Sequence, residues 1–233
     1  MNKIQEKYKW LHNQYGPQGW WPLVDYQGTN PTKTGNVHGY HPGNYELPKT
    51  RDQVYEICIG AILTQSVGWV SVEKALINLK KLNAINPERL MKLSDEKLKN
   101  AIKPVGYFNV KARKLRVFTG FFMSLNTKIP NREELLKIWG VGPETADSML
   151  LYAFKVPTFV VDAYTRRIFT RLGYINEKAI YDDIKTLFEN NLKPDLKVYQ
   201  EYHALIVEHA KRFYGKGKDN RKCLLFQETI KGT

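Results

Sequence analysis

Apolar positions recur at helical spacing along most of this chain, and no segment alternates convincingly enough to predict a strand. Val54, Ile57, Cys58, Ala61 and Ile62 follow the i, i+3, i+4, i+7, i+8 pattern of one helical face. Val72, Ala75, Leu76 and Leu79 repeat it after a break around Ser66 to Gly68. Asn86-Pro87 and Ser94 read as successive helix starts. Pro104 and Gly106 close a helix, and the next opens at about Asn109. Asn131 followed by Glu134 is a capping-box pattern for another. Further on, Ile180, Ile184, Leu187 and Phe188 mark one helix, and Val198, Tyr202, Leu205, Ile206 and His209 mark a second. The predicted class is all-α.

The N-terminal fifth is different. Residues 3 to 15 suit a short helix with Ile4, Tyr8 and Leu11 on one face. Tyr15 to Thr50 is dense in Gly, Pro, Asn and Thr, shows no period, and predicts a long loop. Loops of that length in compact proteins are usually functional, and the tyrosines and tryptophans argue against disorder. The expectation is a segment packed along the surface near a cleft.

Composition narrows the function. The 233 residues carry 36 Lys plus Arg against 23 Asp plus Glu, a net charge of +13, with 42% hydrophobic residues. That balance fits a folded protein that binds a polyanion, with a basic membrane-surface protein as the competitor. No run of about 18 apolar residues exists to span a bilayer. The N-terminus lacks the apolar core of a signal peptide, so a cytoplasmic, nucleoid-associated protein is expected. Of the two cysteines, Cys58 lies in an apolar helical run and reads as a core residue.

The most specific stretch is Leu135 to Leu172, in which Ile138-Trp139-Gly140-Val141-Gly142-Pro143-Glu144-Thr145-Ala146 leads to Val161-Asp162 eighteen residues after Glu144. Gly140 and Gly142 bracket a sharp turn between two helices, and Pro143 suits the first position of the second. The N–H groups of Gly140, Val141 and Gly142 then offer an anion site at a helix N-terminus. Lys111, Arg113, Arg166 and Lys216 are plausible helpers at phosphate. The plainer reading is a helical hairpin that only packs.

Turn, Pro loop and Asp at this spacing resemble the helix–hairpin–helix–GPD superfamily of endonuclease III-like DNA glycosylases. Gly106-Tyr107-Phe108-Asn109-Val110-Lys111-Ala112 is similar to that family's Gly-aromatic-x-x-Lys-Ala turn. The resemblance implies two helical lobes. A six-helix barrel containing the hairpin would span 51–156, and 1–50 with 157–233 would form the second lobe, with an active-site cleft between them. It also implies DNA as partner, and a monomer is expected.

Within that resemblance Asp162 is the catalytic candidate. Cleaving an N-glycosidic bond builds positive charge on the sugar, which a nearby carboxylate stabilises, or the carboxylate activates water. Asp162 also stands where an N-cap belongs. Glu144 occupies the position at which lyase members carry a Schiff-base Lys; a carboxylate forms no imine, so a monofunctional enzyme is expected. Gln65 matches a residue that fills the gap left by an extruded base. Trp20-Trp21-Pro22, with Trp69 four residues after Gln65, resembles the bacterial 3-methyladenine DNA glycosylase branch and implies, with Glu144, a base pocket. Cationic alkylated purines suit such aromatic faces and leave readily. Other endonuclease III relatives hold an iron–sulfur cluster on four cysteines. Cys223 is the sole cysteine in the corresponding region, so no cofactor is expected, with a hairpin-bound monovalent cation as an option. His203 and His209 lack partners at metal spacing and read as structural. Alternatives left open are a glycosylase for mismatched, deaminated or oxidised bases, and a non-catalytic DNA-binding hairpin module.

Overall fold

The computed structural model describes residues 2–32, 38–215 and 218–225. Among them there is no β-strand, and eleven α-helices follow one another: α1 Lys3–Tyr15, α2 Arg51–Leu63, α3 Trp69–Lys81, α4 Pro87–Lys92, α5 Asp95–Ile102, α6 Phe108–Ser124, α7 Arg132–Leu136, α8 Pro143–Ser148, α9 Ala163–Arg171, α10 Tyr181–Asn191 and α11 Leu196–Phe213. Local chemistry sets their starts. Asn2, Thr50 and Asn131 build capping boxes with Gln5, Gln53 and Glu134, while Asn86, Ser94, Asp162 and Asp195 accept a backbone N–H as N-caps. Among the described residues no helix is long and apolar enough to cross a membrane.

Helices α2 to α6 pack on one another, with α8 beside α2 and α7 beside α8; α1 and α9 pack on α11, and α10 on α1. One turn joins the two groups. After Ser148, α8 widens into a π-helical turn, Met149–Ala153, whose residues are all buried and which touches both α2 and α11. Such wide turns are frequent at functional sites. Here it delivers the Tyr152 side chain into the interior.

Two sequence expectations change. Helix α2 is not amphipathic: every residue from Tyr55 to Leu63 is buried, because α3, α6, α8, the π-helical turn and the loop residues Trp21 and Val24 pack around it. Ile180, read as a core position, is the exposed N-cap of α10.

The long loop is also no surface strap. Trp21, Pro22, Leu23, Tyr40 and His41 are buried. The segment folds on itself through Leu23 N to Gly39 O and His41 N to Gly19 O, each 3.0 Å. Gly19 is required there: its φ is +68°, and a Cβ would lie 2.2 Å from the Pro42 nitrogen. Two buried carboxylates then fasten the loop, Glu56 accepting from Val24 N at 2.6 Å and Glu201 from Gln18 N at 2.7 Å. His41 bridges the Trp21 and Asn44 carbonyls at 2.9 and 2.8 Å. Apolar aromatic area and carbonyl partners spread through the sequence thus draw in a segment whose local composition reads as solvent-facing.

Candidate active site

The hairpin turn is built as its glycines suggest. Gly140 has φ +89°, and a Cβ there would stand 2.6 Å from the Lys114 Cγ, so the turn rides on the Lys114 stem. Gly142 is the N-cap of α8 and Pro143 its first residue. Val141 departs from expectation: its N–H donates to Ile138 O at 3.0 Å and closes the turn, so Gly140 and Gly142 are the remaining candidates for an anion. Trp139, 46% exposed at the tip, carries the Arg113 guanidinium 4.4 Å over its ring.

A groove of about 860 Å³ runs along this turn, lined by Gln65, Tyr107, Lys114, Gly140, Gly142, Glu144 and Tyr181, among others. Gln65 is anchored rather than free. Its Nε2 donates to Gly140 O and to Thr145 Oγ1, both at 3.0 Å, and its Oε1 accepts from Lys114 Nζ at 2.6 Å. Lys111 borders the groove but does not point a charge out of it. The residue is 4% exposed, and Nζ donates to Leu63 O at 2.8 Å and Val105 O at 3.2 Å, at the ends of two helical segments. Burial lowers its pKa, with Lys114 adding to the effect. It holds the two loops that follow those carbonyls, and is no phosphate contact in this arrangement. Arg166 is half-buried and donates to Ala179 O, whereas Arg113 is exposed. Lys216 lies outside the described residues.

Asp162 caps α9 with one oxygen only. Oδ1 accepts from Thr165 N at 2.7 Å and Thr165 Oγ1 at 2.8 Å, and Oδ2 faces His203 Nε2 at 3.9 Å. Its side chain is 12% exposed, and the cap fixes one carboxylate oxygen only. His203, expected to be merely structural, is instead beside this carboxylate. His209 matches the structural reading, placed between Tyr15 Oη at 2.8 Å and Cys223 Sγ at 3.1 Å, with burial pushing its pKa down to about 4. Glu144 keeps solvent access in the groove. Desolvation by the surrounding walls and then the Asp162 charge raise its carboxyl to about 7.

The aromatic residues form a connected cluster, though not one open pocket. Trp21 is 4% exposed and packs edge-on against Trp69 at 5.3 Å and tilted against Tyr152 at 5.4 Å. Trp20 is half-buried, 5.7 Å from the His203 ring and under the Lys211 ammonium at 5.8 Å. Pro22 and Trp69 line a separate cavity of about 450 Å³ with Glu73 and Lys80. Of the residues expected to share a base pocket, then, Trp20 packs on His203, Glu144 lines the hairpin groove and feels the Asp162 charge, and Trp21 belongs to the core. Sequence reasoning missed Tyr152, His203 and Lys114. Tyr152 sits in an apolar run, and nothing in its spacing marks it as polar chemistry.

The profile of the HhH-GPD superfamily of base excision DNA repair proteins matches residues 59–194, and the chain belongs to that family. It is 44% identical over 224 residues to a Methanocaldococcus jannaschii protein proposed to be a DNA repair glycosylase, covering 91% of this chain and 89% of that one. Identity to endonuclease III of Sulfolobus acidocaldarius is 30% over 179 residues, covering 72% and 77%. The fold superposes on the Helicobacter pylori 3-methyladenine DNA glycosylase bound to 1,N6-ethenoadenine with TM-score 0.60 and 27% identity, over 71% of this chain and 91% of that one. On endonuclease III in a non-covalent DNA complex the TM-score is 0.74 over 100% and 99%; at 18% identity this likeness concerns the fold alone.

The cluster that many endonuclease III relatives carry does not fit these residues. Four thiolates are needed, and the chain has two cysteines. Cys58 is inside α2, and Cys223 Sγ is buried against His209.

Proposed function

We propose that this family member is a monofunctional DNA glycosylase that extrudes an alkylated purine from duplex DNA and uses Asp162 to promote its departure. The observation that carries the reading is the Asp162 carboxylate, which caps α9 through Oδ1 while Oδ2 is turned towards His203, the imidazole that the half-buried Trp20 covers. A fixed carboxylate stabilises the oxocarbenium-like sugar without having to reorganise as charge develops. An alkylated purine is cationic and a good leaving group, so strong acid catalysis is unnecessary, and Trp20 offers a face for cation–π stacking. Similarity to the Helicobacter pylori 3-methyladenine enzyme supports this choice of lesion.

Glu144 supports the monofunctional assignment, since a carboxylate cannot form the Schiff base of the lyase reaction. Gln65 acts as the duplex wedge, leaving its contacts with Gly140, Thr145 and Lys114 when the base is extruded. Phosphate is held at Gly140 and Gly142, with Arg113 alongside; a monovalent cation at the turn would serve the same contact. No iron–sulfur cluster takes part.

The test is base release from methylated duplex DNA, with strand integrity read before and after hot alkali. Release with nicks only after alkali is expected, and Asp162→Asn should abolish release while sparing DNA binding. Equal release by variant and parent would overturn the role given to the carboxylate. Nicking without alkali would place a lyase nucleophile elsewhere.

A further inference from the structure

Behind Asp162 lies a buried polar pair that the reaction as described does not use. Tyr152 Oη is 2.7 Å from His203 Nδ1 and 3.1 Å from Gln200 O, and both side chains are buried. A hydroxyl has one proton to give. Given to Gln200 O, it would require the ring proton on Nδ1 and aim the bare Nε2 lone pair at the Asp162 carboxylate, an electrostatically unfavourable arrangement; given to Nδ1, it leaves Gln200 O as a plain contact. With Nδ1 as acceptor, the ring proton is on Nε2, and that N–H faces Asp162 Oδ2 at 3.9 Å.

We propose that His203 is a positioning residue for Asp162: locked by the Tyr152 hydroxyl as the Nε2–H tautomer, it aims a neutral donor at the one carboxylate oxygen that α9 leaves unbound. This rests on the assignment of Asp162 as the catalytic carboxylate. At 3.9 Å the contact is a directed dipole and not yet a hydrogen bond, and about an ångström of closure would make it one. Neutrality is the useful property. An imidazolium at this position would cancel the charge that the developing sugar cation needs, whereas a neutral N–H orients the carboxylate and leaves it anionic. Burial favours the neutral ring and Asp162 opposes it, with desolvation the larger effect. Trp20, edge-on to the ring at 5.7 Å, covers the same imidazole, so the wall on which a base would stack also holds the orienting group.

The experiment combines ¹⁵N NMR of histidine-labelled full-length protein at neutral pH with single-turnover base release from methylated duplex DNA. His203 should be observed neutral with its proton on Nε2, Tyr152→Phe should erode that preference, and Asp162→Asn should shift the Nε2–H resonance. A protonated His203, or one with its proton on Nδ1, overturns the proposal. In the kinetic arm His203→Gln places an amide nitrogen where Nε2 was, and His203→Asn places one where Nδ1 was. The Asn variant should lose about 10- to 100-fold in release rate, the usual scale for an outer orienting partner, at unchanged DNA affinity. The Gln variant should stay within a few fold of the parent. Equal losses in the two variants would mean the imidazole only packs. If Asp162→Asn is inactive while His203→Asn matches the parent, this inference alone fails; if Asp162→Asn releases base as the parent does, the catalytic reading fails first.

Discussion

The Lys114 ammonium holds the Gln65 amide oxygen at 2.6 Å while the amide nitrogen of Gln65 spans Gly140 O and Thr145 Oγ1. One side chain thereby ties the end of α2 to the hairpin and to α6. Gln65→Ala should reduce base release from duplex DNA about tenfold or more, since stacking and pairing energy of a few kcal/mol must then be met without a residue to fill the gap. Release from the same lesion in a single strand, where no partner base is abandoned, should change far less. Parallel losses on the two substrates would show that Gln65 serves the hairpin and not the duplex.

Glu144 and the reaction class are linked through one substitution. Glu144→Lys introduces an amine in a groove that desolvates its occupant and faces Asp162, both of which suit a nucleophilic lysine. The variant should form a borohydride-trappable imine with abasic DNA, which the parent should not. A trapped adduct with the parent protein would remove the basis for calling it monofunctional.

Trp20 and Trp21 should separate cleanly. Trp21 is enclosed by Trp69, Tyr152 and α2, with Gly60 leaving room for its indole, so Trp21→Ala should cost about 3–5 kcal/mol in urea unfolding. Trp20→Ala, at a half-buried position, should cost less stability and lose more base release. Unchanged release by Trp20→Ala would exclude it as a stacking face.

Stability should depend on pH in two opposed ways. Burial raises the Glu56 carboxyl to about 7, above its ordinary 4.5, so the folded state binds the proton more tightly than the unfolded chain. Its contribution is present below about 4.5 and is lost as pH rises towards 7. At about 1.4 kcal/mol per pH unit this is roughly 3 kcal/mol at most. His209 acts oppositely. Held neutral down to about 4 against an ordinary 6.5, it makes stability rise with pH across that interval. Between about 4.5 and 6.5 the two slopes cancel, so the urea midpoint followed against pH should stay nearly flat there in the parent and fall only from about 6.5 towards 7. Glu56→Gln should leave the rise due to His209, and an unaltered profile would show that Glu56 is ionised in the fold.

Much of this protein is set by local rules that a sequence carries openly. The helix starts at Asn86, Ser94, Asn131 and Asp162, the glycine turn at 140–142 and the helical spacing of apolar positions each act within a few residues, so these starts and the hairpin are legible in the sequence. The same holds for Glu144, whose chemistry excludes an imine wherever it stands. Other features come from distant residues meeting, which no local pattern encodes. The burial of α2 from Tyr55 to Leu63, the insertion of Trp21 into the interior and the diversion of Lys111 from phosphate to two helix-end carbonyls all depend on which segments pack together. The clearest case is Asp162. Its role as a cap is a three-residue matter, but the direction of its second oxygen is set by Tyr152 and His203, fifty-one residues apart in sequence and 2.7 Å apart in the fold. Hydrogen bonds and desolvation act at contact range, so only tertiary structure decides which titratable groups share a low-dielectric site.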